Sequence, residues 1–198
     1  MLKKKLHEYF SNEIANSKLI ESYKEEIAYA KKHKLLEEDF TIIEKEESLR
    51  FTDAYIERYD KESEELLAEE SSNFLDQPIS YLKNQIKEFI YIESKWFDLI
   101  GADSVCIEVD DVFGTYEVML GLKLQKKYES KLKAKINEGL KGEVKYSLLF
   151  SQADGLWELN LALNGVEGFN EKLSINEACR LIYLYLFKLL EAVEEDMQ

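Results

Sequence analysis

The chain is poor in the residues that build most recognisable sites. It has one proline, eight glycines, two cysteines and two histidines in 198 residues. Cys106 and Cys179 cannot form a disulfide framework, which points to a reducing, cytoplasmic setting. Neither His7 nor His33 has a second histidine four residues away. That spacing excludes the helical two-histidine zinc motif, and no nucleophile motif lies near either ring. There is no GxGxxG and no Walker sequence, so no phosphate cradle and no cofactor are expected. No apolar run reaches the roughly 18–20 residues needed to cross a bilayer. The longest, 181–190, is interrupted by Lys188. The start of the chain shows no secretory h-region or cleavage site.

Positive charge is also scarce. Lys and Arg number 26 against 40 Asp and Glu, a formal net charge of -14. Such a surface repels phosphate backbones and anionic headgroups, so nucleic acid and membrane are not expected partners. A protein, particularly a basic one, is. What the chain does have is 45% hydrophobic and 12% aromatic residues, enough for a folded core despite 33% charged residues.

Hydrophobic spacing predicts one or two amphipathic helices over 2–34, with Ser17 as a possible start of the second. Segment 40–51 is either a short hairpin or a loop. A helical period returns over 53–71, with Tyr55, Tyr59, Leu66 and Leu67 on one side and many carboxylates on the other. Pro78 suits the first position of a further helix over 78–99, ended by Gly101.

The stretch 104–124 alternates as a β-hairpin. Val105, Ile107 and Val109 share a face with Tyr116, Val118 and Leu120. A four-residue turn at 111–114 sets Val109 against Tyr116, and a two-residue turn at 113–114 sets it against Val118; both keep apolar faces together. A helix is expected over 125–140, then a second hairpin from Lys145 to Asn164. There a two-residue Asp154-Gly155 turn would set Phe150 against Leu159. Ser174 and Glu177 form a capping box that opens the last helix, to about Glu195. Its run LIYLYLFKLL is apolar around most of its circumference, so it should lie between the sheet and a second helical layer. The aromatic residues Trp96, Phe97, Trp157, Tyr183, Tyr185 and Phe187 read as packing.

The expected fold is α+β: N-terminal helices, then hairpin–helix–hairpin–helix. The sheet would be four-stranded and mostly antiparallel, with helices on one face and a polar opposite face. Residues 1–76 form a helical region packing on an α+β domain at 77–198, together one compact unit.

The polar face carries the one functional signal. Glu108 faces Glu117 in the four-residue-turn register, and Asp110 faces it in the other. Like charges directly opposite in a sheet destabilise it. Splaying into water relieves the conflict, and so would a basic partner or a cation, although hard cations want more oxygen ligands than two acids supply. Glu108, Asp110, Glu117 and Asn160 are therefore the candidate binding surface; no catalytic, cofactor or metal residue is assigned. Cys106 shares that face, where carboxylates make a thiol less reactive.

Two segments resemble the small domain of branched-chain aminotransferases, pyridoxal-phosphate enzymes of fold type IV. Phe51-Thr52-Asp53 with the stretch to Tyr59-Asp60 resembles the family's FTD segment. Ile92-Glu93-Ser94-Lys95-Trp96, then Ser104 to Glu108, Val112-Phe113-Gly114-Thr115 and Leu120-Gly121 are similar to the helix and strand ending that domain. Where the family's strand carries an arginine, Glu108 stands here. The Schiff-base lysine and the glycine-rich phosphate-binding segments have no counterpart. The resemblance thus implies a relic or look-alike of the small domain rather than a working transaminase. The expected function is a non-catalytic protein-binding module. The alternatives are an enzyme or enzyme relic related to these aminotransferases and a homodimeric structural protein formed by edge-strand pairing.

Overall fold

A computed structural model describes residues 2–16, 19–36, 40–142 and 146–195. The expected helix start at Ser17 and strand start at Lys145 lie outside these. The architecture is α+β, with a seven-stranded antiparallel sheet in place of the expected four strands.

The N-terminal helix α1 (Leu2–Asn16) buries Leu2, Leu6 and Phe10, one turn apart. Residues Leu19–Ser22 then form strand β1 instead of continuing as helix. They pair in parallel with β2 (Thr41–Glu44) across helix α2 (Lys24–Lys32), so 41–44 is a strand but not of a hairpin, and the rest of 40–51 is loop with one 3-10 turn at Glu47–Leu49. Ile20 and Ser22 point inward from β1 and are fully buried, a period of two that four residues are too few to reveal.

The segment expected to be a helix over 53–71 is a hairpin, β3 (Tyr55–Asp60) and β4 (Leu66–Glu70). Tyr55 and Tyr59 fit either period. The deciding residue is Ile56, fully buried against Ile92 of the neighbouring strand while its flanking side chains face out. The helix expected over 78–99 is also corrected. Pro78 makes a bridge to Ser174, α3 (Tyr81–Asn84) is a single turn, β5 is Glu88–Glu93, and α4 (Lys95–Leu99) follows. The run EFIYIE is β-branched and aromatic at alternate positions, and its place between β3 and the next strand outweighs its helical spacing.

Strands β6 (Ala102–Val109) and β7 (Tyr116–Leu122) form the expected hairpin in its four-residue-turn register. Val109 faces Tyr116, Ile107 faces Val118, and Glu108 faces Glu117. After α5 (Glu129–Gly139) come β8 (Tyr146–Ser151) and β9 (Leu156–Ala162). Their turn is four residues long, not two, so Phe150 faces Trp157 and Leu148 faces Leu159. This shift of two preserves the facing of every side chain, so the hydrophobic pattern could not detect it.

The three hairpins share one loop geometry. In each, four residues lie between the last paired residues (Asp60 and Glu65, Asp110 and Thr115, Ser151 and Leu156), and the fourth adopts a left-handed backbone: Glu64 (φ 56), Gly114 (φ 66) and Gly155 (φ 69). Asp60 and Asp110 cap the first two loops alike. Asp60 Oδ1 accepts from the N–H groups of Glu62 (3.0 Å) and Ser63 (2.9 Å), and Asp110 Oδ1 from Val112 (2.9 Å) and Phe113 (2.6 Å). Each is an Asx turn, in which a short carboxylate substitutes for a backbone acceptor.

The sheet order is β4-β3-β5-β6-β7-β9-β8. One face is a continuous apolar layer including Ile56, Ile90, Ile107, Val118, Leu159 and Leu148. The last helix, α6 (Ile175–Glu195), completes this core and packs against α1 and α5. The predicted capping box opens it: Ser174 N–H donates to Glu177 Oε2 at 2.8 Å, and Glu177 N–H donates to Ser174 Oγ at 3.1 Å. Among the described residues no helix is long and apolar enough to cross a membrane.

Candidate binding face

The second face of the sheet has no covering layer among the described residues; apart from the small Ala162, its side chains are half-buried or exposed. The strand pairings place Glu69, Glu57, Tyr91, Cys106, Met119, Asn160 and Ser147 in one row across it. A neighbouring row carries Tyr59, Phe89, Glu108, Glu117 and Ala162.

The face expected to be polar is so only in part. On its β3–β5 half, Tyr59 and Phe89 stack with ring centroids 5.1 Å apart at 10°, and Tyr91 meets Tyr59 edge-on at 6.5 Å. Carboxylates are tied into these rings. Glu57 accepts from the hydroxyls of Tyr55 (2.5 Å) and Tyr59 (2.7 Å), and Glu93 accepts from Tyr91. The two tyrosines hold the Glu57 carboxyl below its ordinary pKa. The helical reading of 53–71 hid this cluster; the alternation Tyr55, Glu57, Tyr59 was the signal that could have revealed it.

Glu108 and Glu117 stand directly opposite, one of the two pairings the sequence left open, and the chain itself answers their repulsion. Lys61, on the β3–β4 loop, reaches over β6. Its Nζ donates to the Val109 carbonyl at 2.5 Å and lies 3.2 Å from Asp111 Oδ1 and 3.6 Å from Glu108 Oε1. Glu117 accepts from the Thr115 hydroxyl at 2.9 Å. Burial nevertheless pushes the Glu108 carboxyl above its ordinary pKa, against the pull of Lys61. Asp110 leaves the group, since its carboxylate caps the loop. Asn160 is exposed in the row through Cys106 and Met119, diagonal to Glu117. Beyond them the β6–β7 loop projects Val112 and Phe113, 81% and 74% exposed.

Cys106 lies on this face, and Cys179 lies in α6. Burial, with Glu108 second, pushes the Cys106 thiol up to about 11, and burial raises Cys179 to about 12. Neither is a thiolate near neutral pH.

A second charged cluster lies in the core. Arg50 is 2% exposed and Glu26 0%. Arg50 donates to Glu26 Oε1 (2.6 Å) and Glu25 Oε2 (2.7 Å), and the Tyr183 hydroxyl donates to Glu26 Oε1. The guanidinium lies 4.1 Å from the Tyr23 ring centre and 4.2 Å from that of Tyr183. Among the described residues no side-chain nitrogen or oxygen of Arg50, Glu26 or Tyr183 is buried without a hydrogen-bond partner, and the cluster ties α2 and α6 to the turn at 50–51.

Comparison with known proteins finds no matching family model, no matching curated protein and no matching solved structure. The segments on which the expected aminotransferase resemblance rests fall on β3, β5, α4, β6 and β7 and their connections.

Proposed function

We propose that this protein is a non-catalytic binding module that docks a basic segment of another protein on its open sheet face. The observation that carries this reading is the pairing of aromatic rings with carboxylates on a face left uncovered among the described residues. Tyr55, Tyr59, Phe89 and Tyr91 supply flat rings for cationic side chains. Glu57, Glu69, Glu93 and Glu108 supply the charge, and the net charge of -14 steers such a partner inward. Val112 and Phe113 provide apolar anchors at its edge. Both cysteines are free, which supports a reducing, cytoplasmic setting.

The test is fluorescence anisotropy with a labelled arginine- and lysine-rich peptide. Tyr59→Ala with Glu57→Gln is expected to weaken binding more than Glu8→Gln with Glu138→Gln, which removes more charge from exposed sites elsewhere. Equal weakening by the two variants would reduce the interaction to net charge and sink the reading. A homodimeric reading has its own support in Leu66 and Leu67, exposed on edge strand β4. Light scattering at monomer mass would remove it.

A further inference from the structure

We propose that His33, Glu191 and Glu195 form a divalent-cation site of the zinc class, joining the end of α2 to the last turns of α6. This site is independent of the sheet face. Glu191 and Glu195 are four residues apart on α6 and so project from one side of the helix. His33 is the C-terminal cap of α2. Its ring stacks on Tyr29 with centroids 4.1 Å apart, and its backbone N–H donates to the Tyr29 carbonyl at 2.9 Å. One ligand atom from each of the three side chains lies within 4.8 Å of the other two. Around an ion bonded at about 2.0–2.1 Å the same atoms would stand about 3.3 Å apart, a closure within reach of glutamate torsions.

One further observation points to a cation here. The His33 Nε2 atom is sealed from solvent and has no hydrogen-bond partner, an uncommon state for a buried nitrogen. The carboxylates, for their part, already hold a positive charge. Lys32 Nζ bridges them, 2.8 Å from Glu191 Oε1 and closer still to Glu195 Oε1. The Lys32 side chain is half exposed, on a flexible tether, and can swing into water. Glu194 adds negative charge nearby, accepting from the Tyr29 hydroxyl at 2.8 Å. One imidazole with two carboxylates suits zinc and its first-row neighbours, whereas magnesium and calcium favour all-oxygen shells. The sequence concealed the site because its ligands come from distant segments and include a single histidine.

Isothermal titration of the full chain with zinc chloride tests the site. The expected result is saturable binding of one zinc per chain. His33→Ala and Glu195→Gln should each weaken it by at least the ~10-fold that losing even an outer-shell partner costs. His7→Ala should leave it unchanged, and Lys32→Met should tighten it by removing the competing ammonium. Glu195 is exposed, so its variant tests the site without disturbing the core. The proposal is overturned by absence of saturable zinc binding, by binding that survives both ligand substitutions, or by binding confined to Lys32→Met.

Discussion

Arg50 and Lys61 each stand among carboxylates, yet they serve opposite ends. Arg50 is sealed between two tyrosine rings, and its partners Glu25 and Glu26 come from one helix. Burial alone would lower its pKa; Glu26, Tyr183 and Glu25 more than offset that. Lys61 sits at the rim of an uncovered face and shares its single charge among Glu108, Asp111 and a carbonyl. In the first cluster one guanidinium and the Tyr183 hydroxyl hold two carboxylates, with Arg50 and Glu26 buried in the core. In the second, negative charge is left over, where a partner could use it. An enclosed ion pair is a structural lock; an under-neutralised one on a surface is where the proposed partner would attach.

The sharpest way to break this contrast is to remove each cation. Arg50→Met leaves Glu26 buried without its partner and should cost about 3–5 kcal/mol in urea denaturation. Arg50→Lys should recover only part, because a point charge cannot bridge both carboxylates and stack on the rings. Lys61→Met should cost about 1–2 kcal/mol, since a carbonyl loses its donor and two facing acids lose their counter-charge. Adding Glu108→Gln to Lys61→Met should return part of that loss, whereas additive costs would show that Lys61 does not act on the acid pair. Comparable losses at Arg50 and Lys61 would erase the distinction between lock and attachment point.

The pattern of success in reading the sequence follows the same contrast between local and distant causes. The β6–β7 hairpin with its apolar face and the α6 capping box were legible because each rests on neighbouring residues with a fixed period. The same pattern left two β6–β7 registers open, one of them with Glu108 opposite Glu117. The β8–β9 register was misplaced by two because Asp154-Gly155 suggests a two-residue turn, while the loop places Gly155 at the end of four. The β3–β4 hairpin was missed for a related reason. Its loop has the backbone of the other two but carries Glu64 where they carry glycine. With that hairpin misread, neither Lys61 nor the Tyr59–Phe89 stack could be placed beside the candidate face. Glu64 also supplies the next prediction. A side chain in the left-handed region costs roughly 1–2 kcal/mol, partly offset by the backbone entropy glycine loses on folding. Glu64→Gly should therefore stabilise the protein by about 0.5–1 kcal/mol in thermal or urea melts. Destabilisation would mean that the Glu64 side chain supports the loop.

The smallest expected effect separates two carboxylates on the candidate face itself. Glu57 is held below its ordinary value of 4.5 by two tyrosine hydroxyls, and Glu108 is pushed above it by burial. The signs differ accordingly. Glu57 favours the folded state fully above about pH 4.5, and that contribution fades as pH falls through its lower, folded value. Glu108 does the reverse: its ionisation costs stability, so the cost is absent below pH 4.5 and grows as pH rises through its higher, folded value. Carboxyl-carbon NMR titration should therefore show Glu108 gaining its proton before Glu57 as the solution is acidified. Glu108→Gln should raise stability at neutral pH by less than about 1 kcal/mol, its partial exposure limiting the gain. Lys61→Met should move the Glu108 titration further up and leave Glu57 in place. If Glu57 protonated first, the tyrosines would not be holding its charge. The face would then present loose acids rather than an ordered set of rings and carboxylates.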